Sequence, residues 1–385
     1  MRRAVIVDAV RTPTGKRGGY LKDWHAVDLA AHVLEALVER TGLDPGAVDD
    51  VIMGCVTQTG EQGVNIARNA ALAAGFPQTV PGVSIDRQCG SSQQAAHFAA
   101  QGVMAGVYDI AIAAGVESMT RVPMGSTASQ GPGMVFGQTL LERYPLVPQG
   151  LSAEMIAEEW GVSRERLDAI ALESHRRAAR ATDEGRFKLE IVPTAGPDGV
   201  DVLVDEGIRR DTSMEKLAKL RPAFKEDGVV TAGNSSQISD GSAALLIMGE
   251  DTAEKLGMQP MARFTAFDVI GVDPVTMLKG PIDATNRVLE RSGMSLDDIG
   301  LFEINEAFAS VLAAWLIEID EVADTLWQRT NVNGGAIALG HPLGCSGAKL
   351  MTTLVHEMQR SGARYGLQSM CEGGGMANAT ILERI

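Results

Sequence analysis

Hydrophobic positions along this chain fall into short continuous runs, separated by stretches with helical spacing. Runs of that kind read as strands covered on both faces, set between helices. The N-terminus, Met1-Arg2-Arg3-Ala4-Val5-Ile6-Val7, reads as a first strand. Leu37–Gly42 (LVERTG) ends a helical pattern at a glycine, and Val288–Gly293 (VLERSG) does the same in the second half of the chain. A short acidic turn and an apolar strand follow each: Val51-Ile52-Met53-Gly54-Cys55 in the first half, Leu301-Phe302-Glu303-Ile304-Asn305 in the second. Further on, Cys89-Gly90-Ser91-Ser92 and Gly344-Cys345-Ser346-Gly347 each open a helical run. The strands Ile110–Gly115 and Gly366–Cys371 come next. The same order of helix, turn, strand, helix and strand occurs twice. The pattern predicts a duplicated, layered α/β architecture, with one α/β domain over residues 1–120 plus 229–250 and another over 260–385.

Residues 121–228 fit neither repeat and read as an inserted loop domain, a common place for ligand contacts on a rigid α/β scaffold. A Gly/Ser/Pro-rich run from Gly125 to Gly133 predicts a loop. A helical pattern carried by Ile156, Trp160, Leu167, Ile170 and Leu172 follows it, and a basic segment runs from Arg209 to Lys225. The whole chain, 385 residues with 45% hydrophobic side chains and 43 glycines, is long enough for two or more domains. Aromatics are scarce at 4%, which predicts an aliphatic core. A net charge of −15 disfavours nucleic acid and anionic membranes as partners, so an anionic ligand needs a local basic patch. The four cysteines (Cys55, Cys89, Cys345, Cys371) lie far apart with no C-x-x-C pair, which favours a reducing, cytoplasmic setting over a disulfide framework. No signal peptide, span of transmembrane length or peroxisomal C-terminus is read from the chain.

Four segments carry candidate chemistry. Cys89 follows an apolar strand at Val83–Ile85 and precedes the start of a helix, where the macrodipole and free N–H groups are expected to lower a thiol from about 8.5. The alternative is a small core cysteine at a tight turn. His341 lies between Gly340 and Pro342 in Asn331–Gly347, which has five glycines in seventeen residues. It is a candidate base, or a turn histidine bonded to backbone. These glycines do not spell a dinucleotide fingerprint. Cys371 ends a strand before Gly373-Gly374-Gly375, whose N–H groups suit an oxyanion; the alternative is a plain turn. Asn305, where a strand hands over to a helix, either caps that helix or orients a water.

Together the Cys89 segment, Asn305-Glu306-Ala307-Phe308, Asn331–Gly347 and Cys371–Gly375 closely resemble four motifs of the thiolases, the family of acetyl-CoA acetyltransferases and 3-ketoacyl-CoA thiolases. The resemblance runs from Val7-Asp8-Ala9-Val10-Arg11-Thr12-Pro13 to the C-terminus. It implies a five-layered α-β-α-β-α fold and coenzyme A as substrate, with no permanently bound cofactor and no metal. It also implies a homodimer or homotetramer. Cys89 matches the acylated nucleophile, His341 its base, and Cys371 the acid/base at carbon. Asn305 matches a residue that holds a water and forms one oxyanion hole with His341. The N–H groups of Cys89 and Gly373 match a second hole. Arg209 matches a coenzyme A contact near the adenine end, and Ala232 and Ser236 match pantetheine-side contacts. The implied reaction is thiolytic cleavage of 3-ketoacyl-CoA, or the reverse condensation. The alternatives are a decarboxylating condensing enzyme and a non-catalytic acyl-CoA binder on the same scaffold. Short-chain biosynthetic members carry a His-Met pair beside the acyl pocket where this chain has Pro148-Gln149, which argues against a strict acetoacetyl preference. Between Val122 and Gly150, Arg143 is the only cation, unlike the basic cluster of some tetrameric members. Gln88, Gln93-Gln94 and Ser235–Asp240 look closer to degradative thiolases, including those acting on steroid-derived acyl chains.

Overall fold

A computed structural model describes residues 2–129, 131–319 and 323–385. In chain order the principal elements are β1 (Ala4–Arg11), α1 (Ala26–Thr41), β2 (Asp50–Gly54), β3 (Gly82–Ile85), α2 (Ser91–Met104), β4 (Ile110–Ser118), α3 (Gln149–Glu159), α4 (Arg164–Asp183), β5 (Ser239–Gly249), β6 (Ala262–Gly271), α5 (Gly280–Ser292), β7 (Leu301–Ile304), α6 (Ala309–Ile319), α7 (Ser346–Ser361), β8 (Tyr365–Glu372) and β9 (Met376–Arg384). The strands form one sheet in the order β7-β8-β9-β6-β1-β5-β4-β2-β3, with the two-residue strand Gly15–Lys16 beside β5.

The duplication is visible in that order. In the first half β4 runs parallel to β2 and antiparallel to β5, and β5 is antiparallel to β1. In the second half β8 runs parallel to β7 and antiparallel to β9, and β9 is antiparallel to β6. A single parallel bridge, Phe302 to Thr330, stands where the first half has β3. The halves meet at β1 and β6, through the pairs Val5–Arg263 and Ile6–Ala262. The two repeated sequences end their helices identically. Gly42 (φ 65°) and Gly293 (φ 69°) take the left-handed conformation open to glycine, and their N–H groups return to Glu39 and Glu290 carbonyls.

Five layers result. Helix α1 packs its Leu29, Val33, Leu34 and Leu37 against one face of the first half. Helix α5 packs Ala284, Val288 and Leu289 against the outer face of the second. Between the two sets of strands lie α2 and α7. Their Ala95, Ala96, Ala99, Ala100, Ala348, Met351, Leu354 and Val355 share one cluster with Ile6, Leu245 and Ile247 of the first half and Phe264, Leu301 and Leu382 of the second. Small side chains let these two helices approach closely at their starts. A Cβ on residue 347 would run into the Gln93 backbone, and Ser92 Oγ accepts the Ala348 N–H at 2.8 Å. That crossing brings the Cys89 turn and the loop leading into α7 to one place.

Between Ser118 and Ser239 the chain leaves the sheet. The helical pattern expected over Ile156–Leu172 is two helices, α3 and α4, broken at Gly161 (φ 60°). In the stretch read as a loop, Ser126–Ser129 forms one helical turn, and residue 130 lies outside the described residues. No helix among the described residues is long and apolar enough to cross a membrane.

Candidate active site

Cys89 sits on a tight turn between β3 and α2. Asp86 Oδ1 accepts the Gln88 N–H (2.7 Å), and Gln88 takes a left-handed φ of 48°. The Gly90 and Ser91 N–H groups return to the Arg87 and Gln88 carbonyls. A left-handed non-glycine residue costs conformational energy that neighbouring contacts must hold in place. The turn leaves Cys89 6% exposed, on the wall of a cavity of about 610 Å³. Its own N–H and that of Gly373 face the sulfur. The helix start does not lower the thiol as the sequence suggests. Burial, and then the Glu372 carboxyl, push it up to about 12, and the two N–H groups offset part of that. Desolvation of the anion outweighs those two N–H groups.

His341 reaches the same cavity. Its tautomer follows from its neighbours. Ser346 Oγ donates to the Pro342 carbonyl (2.8 Å), so its lone pair is left to accept from His341 Nδ1–H (2.5 Å). Nε2 is therefore unprotonated, 3.4 Å from the Asn305 amide nitrogen. Burial, and then the Lys349 ammonium, push the imidazole down to about 3, so it rests neutral. Lys349, itself pushed down to about 8 by burial, donates to the Leu339 and Gly340 carbonyls (2.7 and 2.9 Å) and holds the strand of chain that presents the ring.

Cys371 is fully buried at the end of β8. Burial, and then the neighbouring Cys89 sulfur, push its thiol well above the ordinary value. The chain turns back through Gly373-Gly374-Gly375 into β9, with Gly374 and Gly375 left-handed (φ 84° and 78°). Asn305 is buried, its N–H bonded to the Ser369 carbonyl (3.1 Å), and its Oδ1 has no hydrogen-bond partner. Arg209, Ala232 and Ser236 line the cavity, with Gln149, Met119, Met124, Phe224, Phe308 and Leu343. Thus Cys89 and His341 line the cavity, Cys371 and Gly373 adjoin the Cys89 sulfur, Asn305 adjoins His341, and the three residues matched to coenzyme A contacts line the same cavity. No cluster of three metal-ligating side chains occurs among the described residues.

Most cations of the basic segment are paired with carboxylates. Arg210 pairs with Asp183, Lys216 with Asp211, Lys219 with Glu215 and Lys225 with Glu158. Of the six cations in that segment only Arg209 lines the cavity, and Lys16 and Arg17 line it too. The sequence signal for that pair is modest: two adjacent cations after a Thr-Pro-Thr-Gly turn in an acidic chain. Sequence reasoning also missed Ser346 and Glu117. The Glu117 carboxylate accepts the N–H groups of Val56 (2.9 Å), Thr57 (3.0 Å) and Gly344 (2.8 Å) and the Gln62 amide (2.9 Å). It ties the His341 loop to the first half of the sheet.

A sulfur held between two amide donors, with a neutral base on the same cavity and a second thiol behind it, suits carriage of an acyl group on cysteine. That is the chemistry of a cysteine-dependent acyltransferase. Comparison with known proteins narrows the class. Residues 4–251 match the family model for the N-terminal domain of thiolase, and residues 258–384 match that for its C-terminal domain. The chain belongs to the thiolase family. It is 49% identical to the steroid 3-ketoacyl-CoA thiolase FadA6 of Mycobacterium tuberculosis, over 100% of this chain and 95% of that protein. It is 46% identical to the 3-ketoacyl-CoA thiolase FadA of Escherichia coli, over the full length of both. The crystal structure of Bacillus anthracis acetyl-CoA acetyltransferase superposes with a TM-score of 0.91 at 41% identity, covering 100% of this chain and 99% of that one.

Proposed function

We propose that the protein cleaves 3-ketoacyl-CoA by thiolysis, with Cys89 as the acylated nucleophile. His341 Nε2 takes the Cys89 proton, and the thiolate attacks the keto carbon. The C2–C3 bond breaks with its electron pair going to C2, leaving the enolate of acetyl-CoA. The Cys371 S–H protonates C2, acetyl-CoA departs, and the shortened acyl chain stays on Cys89 as a thioester. Coenzyme A then gives its thiol proton to Cys371 and attacks the thioester; the Cys89 thiolate leaves and recovers its proton from His341. The Cys89 and Gly373 N–H groups face the oxygen of one tetrahedral intermediate. Asn305, holding a water, and His341 face the other oxygen that gains charge. One such donor contributes roughly 3–4 kcal/mol in other acyl-transfer sites.

The observation that carries this reading is the His341 tautomer. Its Nδ1–H is committed to Ser346, so Nε2 is free to take a proton, on the cavity where the Cys89 sulfur lies between two N–H donors. The unpartnered Asn305 Oδ1 supports the water-holding role. An acyl chain longer than acetoacetyl is supported by Gln149 beside Gly373 and by the wide apolar lining from Met119, Met124, Phe224 and Phe308. Relatives named for 3-ketoacyl and steroid substrates point the same way. The reading includes coenzyme A as substrate rather than resident cofactor, a cytoplasmic homodimer or homotetramer, and a loop domain over residues 121–228 that supplies the coenzyme A and acyl contacts.

The test is thiolysis of 3-ketoacyl-CoAs from four carbons to steroid size. Turnover rising beyond the four-carbon substrate is expected. No turnover at any length, or consumption of malonyl-loaded carrier protein in its place, overturns the reading. For Cys371→Ala, acylation of Cys89 by an acyl-CoA persists and carbon–carbon chemistry is lost; equal loss of both half-reactions removes the role given to Cys371.

A further inference from the structure

Glu372 follows Cys371, and its side chain turns under the Cys89 turn. A Cβ on residue 90 would overlap Glu372 Oε1, so glycine at 90 and the carboxyl occupy complementary space. The Asn378 amide satisfies both its neighbours when its nitrogen donates to Glu372 Oε1 (2.8 Å) and its oxygen accepts the Gln94 N–H (3.2 Å). Glu372 Oε2 is buried and has no partner. An ionised carboxylate buried with one oxygen bare is the costly form of this group, and the uncharged acid is the cheaper one.

We infer that Glu372 is a positioning residue that works as an uncharged acid: it braces the Gly90 turn against β8 and β9, and so fixes the Cys89 and Gly373 N–H groups around the Cys89 sulfur. The proposal rests on Cys89 being the nucleophile. Of the groups facing the carboxyl, Arg87 alone favours the charged form. The turn supplies Asp86 and Arg87, β8 supplies Cys371, and Cys89, with Glu117 beyond it, lies above. Gln94 on α2 and Asn378 on β9 are neutral, and His97 on α2 is pushed down to about 3 by burial. Arg87, the nearby cation, directs Nη1 to Met376 Sδ (3.6 Å) and forms no ion pair with Glu372. Burial, opposed by Arg87 and assisted by Asp86, pushes the carboxyl up to about 9. At neutral pH the nucleophile therefore has no anion beneath it. Above pH 9 the carboxylate forms, and its charge opposes the Cys89 thiolate.

The test is the rate of Cys89 carboxamidomethylation by iodoacetamide from pH 6 to 10.5, read by peptide mass spectrometry, for wild type, Glu372→Gln and Glu372→Ala. It reports Cys89 directly and does not depend on which acyl-CoA is the substrate. Glutamine, a neutral isostere, is expected to match wild type within about two-fold below pH 8 and to label roughly 3–10-fold faster above pH 9.5, where only the wild type gains charge. Glu372→Ala is expected to lose about ten-fold or more in kcat with KM within about three-fold, because an unsupported turn misplaces donors used in the transition state. A glutamine profile displaced by a full pH unit toward acid over the whole range means a charged carboxylate in the native site, and overturns the proposal. So does an alanine variant with wild-type kcat. If Glu372→Ala does not fold, the glutamine profile alone decides.

Discussion

Two cysteines stand at the starts of the two central helices, one in each half of the duplicated scaffold, and they differ in access and partners. Cys89 precedes α2 and Cys345 precedes α7. Burial pushes both thiols up to about 12. Cys345 even has the better cationic surroundings, since Lys349 and Arg11 pull its value down, whereas no cation lowers that of Cys89 and Glu372 raises it once ionised. Electrostatics at rest would pick the wrong residue. What separates them is access and partners. Cys89 opens onto the cavity that His341 shares, with the Gly373 N–H at its sulfur. Cys345 is packed among Ala113, Leu245 and Met351 in the aliphatic layer. A buried thiol next to a free base is reactive because the base removes its proton during the reaction, and a permanently lowered value is not required.

The largest test of that comparison is a pair of alanine substitutions. Cys89→Ala is expected to lower kcat by about 10⁵-fold or more, as loss of a covalent nucleophile does. Cys345→Ala should leave acylation by acyl-CoA unchanged and cost about 1 kcal/mol of stability. Burst-phase labelling and urea unfolding read the two effects, and loss of acylation in Cys345→Ala would erase the distinction between the helix starts. Next in size is Ser346→Ala. Without the acceptor for Nδ1–H, the ring is free to take the other tautomer, which presents N–H instead of a lone pair. A fall of about 10–100-fold in kcat/KM with little change in KM is expected. Wild-type kinetics in that variant would mean that something else sets the tautomer. The same base predicts a pH profile. Burial holds the His341 value near 3, so the free enzyme keeps its neutral base as pH falls through the ordinary histidine range. The acid limb of kcat/KM should therefore lie below pH 5, and a limb centred near 6.5 would contradict a desolvated imidazole.

Much of this arrangement was legible in the order of residues, and the reason is local. The LVERTG and VLERSG runs carry their own helix stops, because Gly42 and Gly293 have to be left-handed. Cys89, Asn305 and Cys371 stand at strand ends that apolar runs mark out. What was not legible lies in pairings across long separations. Glu117 meets Gly344 from the other half of the chain, and Lys16 and Arg17 line the same cavity as Arg209. Ser346 is close in sequence to His341, but its role depends on the bend at Pro342 that turns its hydroxyl back to the ring. The burial that reverses the expected direction for Cys89 is a property of the assembled layers. No window of sequence around residue 89 contains it.

The smallest predicted effect applies the same lesson to cations. Arg209 and Arg210 are adjacent, and composition gives no reason to prefer either as a phosphate contact. Their surroundings do. Arg210 is held by Asp183 in a two-point ion pair (2.9 and 2.8 Å) on the exposed surface. Arg209 makes no ion pair among the described residues, and its backbone N–H is bound to His175 Nδ1 (3.1 Å), which places its side chain at the cavity. His175 can serve as that acceptor because burial, and then Arg209, push it down to about 4, so the ring stays neutral. A free guanidinium at the mouth of an acidic protein's cavity contributes a charge-assisted contact to an incoming phosphate. A paired one must first give up its carboxylate. Arg209→Gln is therefore expected to raise KM for coenzyme A by about 5–20-fold with kcat nearly unchanged, and to flatten the dependence of KM on salt. Arg210→Gln should change KM by less than about two-fold. Equal effects from the two substitutions would mean that the ion pair with Asp183 opens when coenzyme A binds, and that the cation count, more than its pairing, sets affinity at this end of the cavity.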